Sequence, residues 1–104
     1  MSLTIQHRET DATSATISLH GRLLLGPGCL ELEQLVADLF NRGILHLTFD
    51  LSDVTHIDST GMGRFIDAYS KLRKAGGSVR FTGATGPVRQ MFKVTKLDSI
   101  FQFG

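Results

Sequence analysis

A carboxylate and two hydroxyls stand side by side at Asp58-Ser59-Thr60, followed by Gly61-Met62-Gly63. Such residues serve nucleophilic attack, acid–base work by carboxylates, anion binding, or acceptance of a phosphoryl group. A nucleophile elbow needs glycine two residues to either side of its serine; around Ser59 those positions hold Ile57 and Gly61. All four histidines (His7, His20, His46, His56) precede Ser59, and no His–Asp pair falls in a later loop, which argues against a hydrolase. An aspartic protease signature, Asp-Ser/Thr-Gly, is interrupted by one residue that displaces Gly61, and the helical period that follows contradicts an all-β fold. No Gly-Lys-Ser/Thr sequence is present, and Ile66 stands where a third glycine would complete a dinucleotide loop. Gly83, Gly86 and Arg89 near a helix start could contact an anion, but a plain structural loop accounts for them. His46 and Asp50 share a strand face with His56 close by, without the spacing of a metal-ligand set. Cys29, the single cysteine, reads as a small apolar core residue. No catalytic residue, metal site or cofactor is expected.

The elements that must position Ser59 follow from periodicity. Leu45, Leu47, Phe49 and Leu51 alternate, so Ile44–Leu51 reads as a strand feeding the central stretch, and the adjacent Ile44 and Leu45 suggest burial on both faces at its start. After a loop, Met62, Phe65, Ile66, Tyr69 and Leu72 recur at spacings of three and four, a helix over about 59–75 that Gly76-Gly77 ends. Upstream, residues 3–8 and 14–20 read as a hairpin, with Gly21 ending the second strand and Arg22 to Gly28 a loop. Leu32, Leu35, Val36, Leu39 and Phe40 line one face of a first helix whose acidic residues crowd its first turns, with Gly43 at its C-terminal cap. Downstream, 78–82 is a strand, Pro87 opens a third helix, and Ile100, Phe101 and Phe103 suggest a short last strand. The order β-β-α-β-α-β-α-β implies an α/β domain with a mixed sheet and right-handed parallel crossovers.

Composition limits the function classes. The 104 residues are expected to form a single domain, 1–104, with 41% apolar and 20% charged residues, as in a globular protein. Apolar runs are too short to span a membrane, no signal peptide opens the chain, and a cytoplasmic location is the default expectation. Residues 1–58 hold three Lys/Arg against eight Asp/Glu, whereas 59–104 hold eight against two. Such asymmetry marks either an acidic partner or a solvated helix face; without interleaved exposed aromatics, direct nucleic-acid binding is a minor alternative.

Ser59 or Asp58 can cap the central helix, a role worth about 1 kcal/mol. Capping does not account for Gly61 and Gly63, each of which costs a helix roughly 1 kcal/mol relative to alanine. A surface kept small and accessible around a hydroxyl at a helix start suits a phosphorylation site, where the helix dipole accepts the added charge.

The segments Leu47 to Gly63 (LTFDLSDVTHIDSTGMG), Lys74-Ala75-Gly76-Gly77 and Gly86-Pro87-Val88 to Leu97 resemble those of STAS domains, the family of anti-sigma-factor antagonists and sulfate-transporter regulatory domains. The resemblance implies a sheet with helices packed on one side. It implies that Ser59 is phosphorylated by an anti-sigma-factor serine kinase of the histidine-kinase-like ATPase type and restored by a phosphatase. The unphosphorylated domain would bind the anti-sigma factor and free a sigma factor, with Asp58 a neighbouring contact and Thr60, Gly61, Met62 and Gly63 the docking surface. The alternative is a STAS scaffold in another signalling complex, with Ser59 only a helix cap. The N-terminal part departs from the family pattern: Leu24 follows Gly21-Arg22-Leu23 where many relatives carry an acidic residue, and His56 takes a place often held by an aromatic.

Overall fold

The computed structural model describes residues 3–97 and the backbone of Gln102 and Phe103. Strands β1 (Leu3–Asp11) and β2 (Ser14–Leu23) form an antiparallel hairpin. Asp11 closes its turn by accepting the Thr13 N–H at 2.9 Å. Helix α1 (Pro27–Asn41), strand β3 (His46–Ile57), helix α2 (Ser59–Lys74), strand β4 (Ser78–Thr82), helix α3 (Gly86–Val94) and the short strand β5 (Gln102–Phe103) follow. The expected Ile100 and Phe101 of the last strand lie outside the described residues.

The sheet order β1-β2-β3-β4-β5 matches the chain order, with every pair after the hairpin parallel. Right-handed crossovers that always step the same way keep α1, α2 and α3 on one face. Burial follows: Ala15, Ile17 and Leu19 on β2, Leu47, Phe49 and Leu51 on β3, and Val79 and Phe81 on β4 are buried. Ser14, Thr16 and Ser18, with Thr48 and Asp50, take the other face and keep some exposure. The expectation of burial on both faces at the start of β3 is corrected, because the strand begins at the exposed His46. Ile44 and Leu45 suggested it, but both precede the strand.

Four phenylalanines tie the layers together. Phe49 of β3 and Phe81 of β4 lie 5.4 Å apart, and Phe65 of α2 meets each at 5.0 Å. Phe92 of α3 completes the cluster, 5.4 Å from Phe81 and 6.0 Å from Phe65. Aromatic centroid spacings of this order add about 0.5–1.5 kcal/mol per pair beyond burial.

Three boundaries differ from the expected ones, and each moves an element closer to Asp58. Strand β2 does not stop at Gly21. It continues to Leu23 across a register shift beside Gly21, whose φ of 106° is open to glycine. Helix α1 starts at Pro27 instead of after Gly28, because proline suits a first turn and Gly26 supplies the N-cap with φ 151°. Glu31 and Glu33 therefore lie beyond the first turn, and the expected acidic crowding there is absent. Strand β3 runs on to Ile57, leaving no loop before α2.

Candidate functional site

Leu23 and Ile57 are paired neighbours on β2 and β3, so both parallel strands end together at the start of α2. Asp58 alone separates strand from helix. It is the N-cap, with φ −116° and ψ −175°, and its Oδ1 accepts the Gly61 N–H at 2.9 Å. Its Oδ2 accepts the Leu25 N–H at 2.9 Å. One carboxylate thus ties the β2–α1 connection to the first turn of α2. Burial alone would raise its pKa, but the N–H groups of Gly61, Leu25, Thr60 and Asp58 itself outweigh that and hold it below the usual carboxylate value.

Ser59 is the first residue of α2 and is exposed. Its hydroxyl has no hydrogen-bond partner among the described residues. The cap is Asp58, so the alternative in which Ser59 serves only as the helix cap lacks its geometric basis.

The two glycines stand in opposite environments. At Gly61 a Cβ would lie 2.5 Å from the Leu23 carbonyl oxygen and 2.8 Å from Leu23 Cγ. Gly61 is absent of side chain because β2 packs against it. At Gly63 a Cβ would meet nothing within 4 Å. Met62 is buried in the core and Gly61 is buried beneath Leu23. Of the residues expected to contact a partner, Asp58, Thr60 and Gly63 keep some exposure beside the exposed Ser59, while Gly61 and Met62 turn inward. Helical geometry points that side of the first turn at the sheet.

Arg64 binds Glu33 of α1 at 3.0 Å and Asp67 at 3.1 Å, which joins the basic half of the chain to the acidic half. These three residues border a groove of about 510 Å³ between α1 and α2, floored by Leu32, Val36 and Ala68. Cys29 is buried, donates to the Leu24 carbonyl at 3.0 Å, and its thiol pKa is raised, first by burial and then by Asp58. Such a thiol is a packing residue rather than a nucleophile.

The remaining candidates do not converge. His46 contacts Ser78 at 2.9 Å, and His56 contacts its neighbour Thr55 at 2.9 Å. Asp50 accepts the Ser52 hydroxyl at 2.7 Å and the Ser52 N–H at 3.0 Å. Those bonds hold its pKa below the ordinary value against a smaller effect of burial. Among the described residues no group of three His, Cys, Asp or Glu side chains is placed to hold a metal. Gly83 has φ 75° and lies so close to Ser52 that a Cβ would sit 2.9 Å from the Ser52 nitrogen, so it is a packing glycine. A residue the spacing did not single out is Leu25, which is 78% exposed beside Asp58. Within the run Leu23-Leu24-Leu25 nothing in the sequence separates a core leucine from a surface one.

Fold and site together define a one-sided α/β domain that presents a serine hydroxyl where two parallel strands end against a helix. The chain belongs to the STAS domain family, whose model matches residues 8–104. It is 28% identical over 102 residues to an anti-sigma-B factor antagonist of Listeria monocytogenes, covering 98% of this chain and 89% of that one. An anti-sigma factor antagonist from Mycobacterium paratuberculosis superposes with a TM-score of 0.81 at 27% identity, over 98% of this chain and 85% of that one. The phosphorylated form of the Bacillus cell fate determinant SpoIIAA matches in fold, with a TM-score of 0.80 at 15% identity over 97% and 91% of the two chains. Among the described residues no helix is long and apolar enough to cross a membrane.

Proposed function

We propose that this chain is an anti-sigma-factor antagonist acting as a phosphorylation-controlled binding switch without catalysis of its own. In its unphosphorylated form it binds an anti-sigma-factor kinase of the histidine-kinase-like ATPase type in the cytoplasm and so releases a sigma factor. The observation that carries this reading is Ser59 itself, an exposed hydroxyl at a helix N-terminus without a hydrogen-bond partner among the described residues, with open space over Gly63 one turn on. The relatives named as anti-sigma factor antagonists support the partner class. In the switch the kinase transfers the γ-phosphoryl group of ATP to Ser59 Oγ, the hydroxyl proton leaves to a base on the kinase, and ADP departs. A phosphatase later hydrolyses the ester.

The physical effect of phosphate differs between the free and the docked chain. In the free chain the N-terminus of α2 offsets about −1.5 to −2 added charges by roughly 0.3–1 kcal/mol, and water does the rest. Asp58 is held ionised next door and repels them. A docked partner would strip that water, and an unpaired charge left in an interface costs several kcal/mol. At about 1.4 kcal/mol per tenfold, this is a loss of roughly a hundredfold or more in affinity.

The test is to incubate the chain with ATP and each histidine-kinase-like ATPase encoded in the same genome, then locate the phosphate by intact mass and site mapping. Phosphate on Ser59, and a Ser59→Asp variant that binds that kinase at least about a hundredfold more weakly, are the expected results. Labelling at another residue, or equal binding by Ser59→Asp, would overturn the switch.

A further inference from the structure

The last turn of α2 carries Lys71, Arg73 and Lys74, all of them exposed. None of the three meets a carboxylate among the described residues. Lys71 lies over the Phe40 ring of α1 at 5.7 Å and Arg73 over the Tyr69 ring at 5.9 Å, contacts that hold the cations in place without neutralising them. Asp67 stands four residues before Lys71, the spacing of a helical ion pair, but its carboxylate goes to Arg64. Glu33 goes to Arg64 as well. Both acids that line the groove between α1 and α2 are thus taken, and Lys71 and Lys74 line it unmatched.

Helix stability does not ask for this cluster. A cation near a helix C-terminus offsets the dipole, yet α1 closes with no basic residue in its last turn and α3 with Lys93 alone. Three on one turn repel each other, Lys71 and Lys74 most directly at a spacing of three. The chain itself holds little to match them. Among the described residues every acidic side chain except Glu31 is already engaged by a cation, a histidine, a hydroxyl or a backbone N–H. A second copy of the chain would therefore bring only Glu31 uncommitted to this turn, and the field is better matched by another protein. Position says which. Ser59, Gly63, Ile66, Ser70 and Arg73 recur at spacings of three and four, so they form one outer stripe of α2. From Ser59 to Arg73 the stripe runs about 21 Å at about 1.5 Å per residue. An interface of ordinary size, about 800 Å² on each partner and about 30 Å across, covers both ends. A protein seated on Ser59 and running along α2 meets the basic turn.

We propose that Lys71, Arg73 and Lys74 are the electrostatic docking end of the switch surface and that the kinase presents an acidic patch to them. The inference rests on the switch reading and adds the chemistry of its contact. The two ends of the stripe divide the work. Screening falls off over about 8 Å at physiological salt, so a phosphate on Ser59 is largely hidden from the basic turn. The turn draws the kinase in with or without that phosphate, and Ser59 decides whether the docked complex holds.

The experiment measures association rates with the kinase that phosphorylates Ser59, at low and at high sodium chloride. One variant combines Lys71→Gln, Arg73→Gln and Lys74→Gln. A control removes the same charge elsewhere, by Arg8→Gln on β1, Arg80→Gln on β4 and Lys93→Gln on α3. All these side chains are exposed, and glutamine matches Lys and Arg in helix propensity, so both variants should melt with the wild type. At low salt the α2 variant is expected to associate about tenfold more slowly than wild type, a gap that closes at high salt, while the control stays within about twofold. If the two variants slow alike, the pull belongs to net charge and the docking end is overturned. If the α2 variant associates as wild type does while Ser59→Asp still weakens binding, the acidic contact is overturned and the switch stands. Sedimentation equilibrium covers the remaining occupant: self-association of wild type that the α2 variant abolishes would give the turn to a second copy and overturn the proposal. If wild type binds none of the kinases, switch and docking end fall together.

Discussion

Asp58 does work that its neighbour was equally entitled to by residue type. Of the two oxygens on its carboxylate, one closes the first turn of α2 and the other holds Leu25. Asp58→Ala removes both acceptors, and urea unfolding should show a loss of about 2 kcal/mol, a cap plus one further bond to a charged group. The pH dependence follows from the same bonds. Hydrogen bonds from Ser52 to Asp50, and from backbone N–H groups to Asp58 against the opposing effect of burial, hold both folded pKa values below the ordinary aspartate value. Their stabilisation is therefore present above that value and lost as pH falls from it through the depressed folded values. Replacing either aspartate by alanine should flatten the fall in unfolding free energy over roughly pH 5 to 2. The glycines give a matched pair. Gly61→Ala forces a Cβ against Leu23 and should cost about 1–3 kcal/mol. Gly63→Ala enters open space and should stabilise α2 by up to about 1 kcal/mol, while weakening kinase binding by filling the approach to Ser59. Thermal melts and one titration separate the two.

At the scale of elements, close approaches set the boundaries. Helix α2 ends at Lys74, Gly76 takes φ 84°, and the Gly77 N–H bonds back to the Leu72 carbonyl at 2.7 Å. A Cβ on Gly77 would fall 1.9 Å from the Leu45 carbonyl oxygen, the same oxygen that accepts the Ser78 N–H where β4 begins. Gly77→Ala should therefore displace the entry to β4 and cost more than about 2 kcal/mol in a denaturant titration, well beyond the usual surface substitution. The Gly-Gly pair was readable as the end of a helix. That Gly77 must also clear another strand was not, because Leu45 lies far away in sequence. Strand β3 was readable only to Leu51 for a similar reason. Its register against β2 shifts between Asp50 and Asp53, which breaks the alternation a sequence can display.

For the whole molecule, the proposed switch surface sits on the helix that the aromatic cluster holds against the sheet. Phe65 contacts the rings of β3, β4 and α3 from α2, so Phe65→Ala should cost about 3–5 kcal/mol and disturb the seating of α2 on the sheet. Ser59→Asp, by contrast, changes an exposed side chain at the end of that helix. Its melting temperature should stay within a few degrees of wild type, about 1 kcal/mol at this size, and its circular dichroism should be unchanged. A large drop in melting temperature would mean that charge at Ser59 acts by loosening the fold rather than by blocking contact. The charge asymmetry is partly resolved inside the molecule. Arg64 from the basic half pairs with Glu33 from the acidic half, and Arg42 pairs with Glu9 and Asp38 within the acidic half.

The sequence by itself determined the order of elements, the helical faces of α1 and α2, and the placing of a polar, glycine-marked helix start after the third strand. Those are local properties, set by periods of two and 3.6 and by turn residues within a few positions of each other. Tertiary structure decided which of two adjacent residues caps the helix, which glycine is forced and which is free, and which leucine of a run of three faces water. Each depends on what β2 brings to the end of β3: the Leu23 carbonyl over Gly61, and the Leu25 N–H on Asp58. The residues in contact there are more than thirty positions apart, and only the parallel pairing of the two strands makes them neighbours.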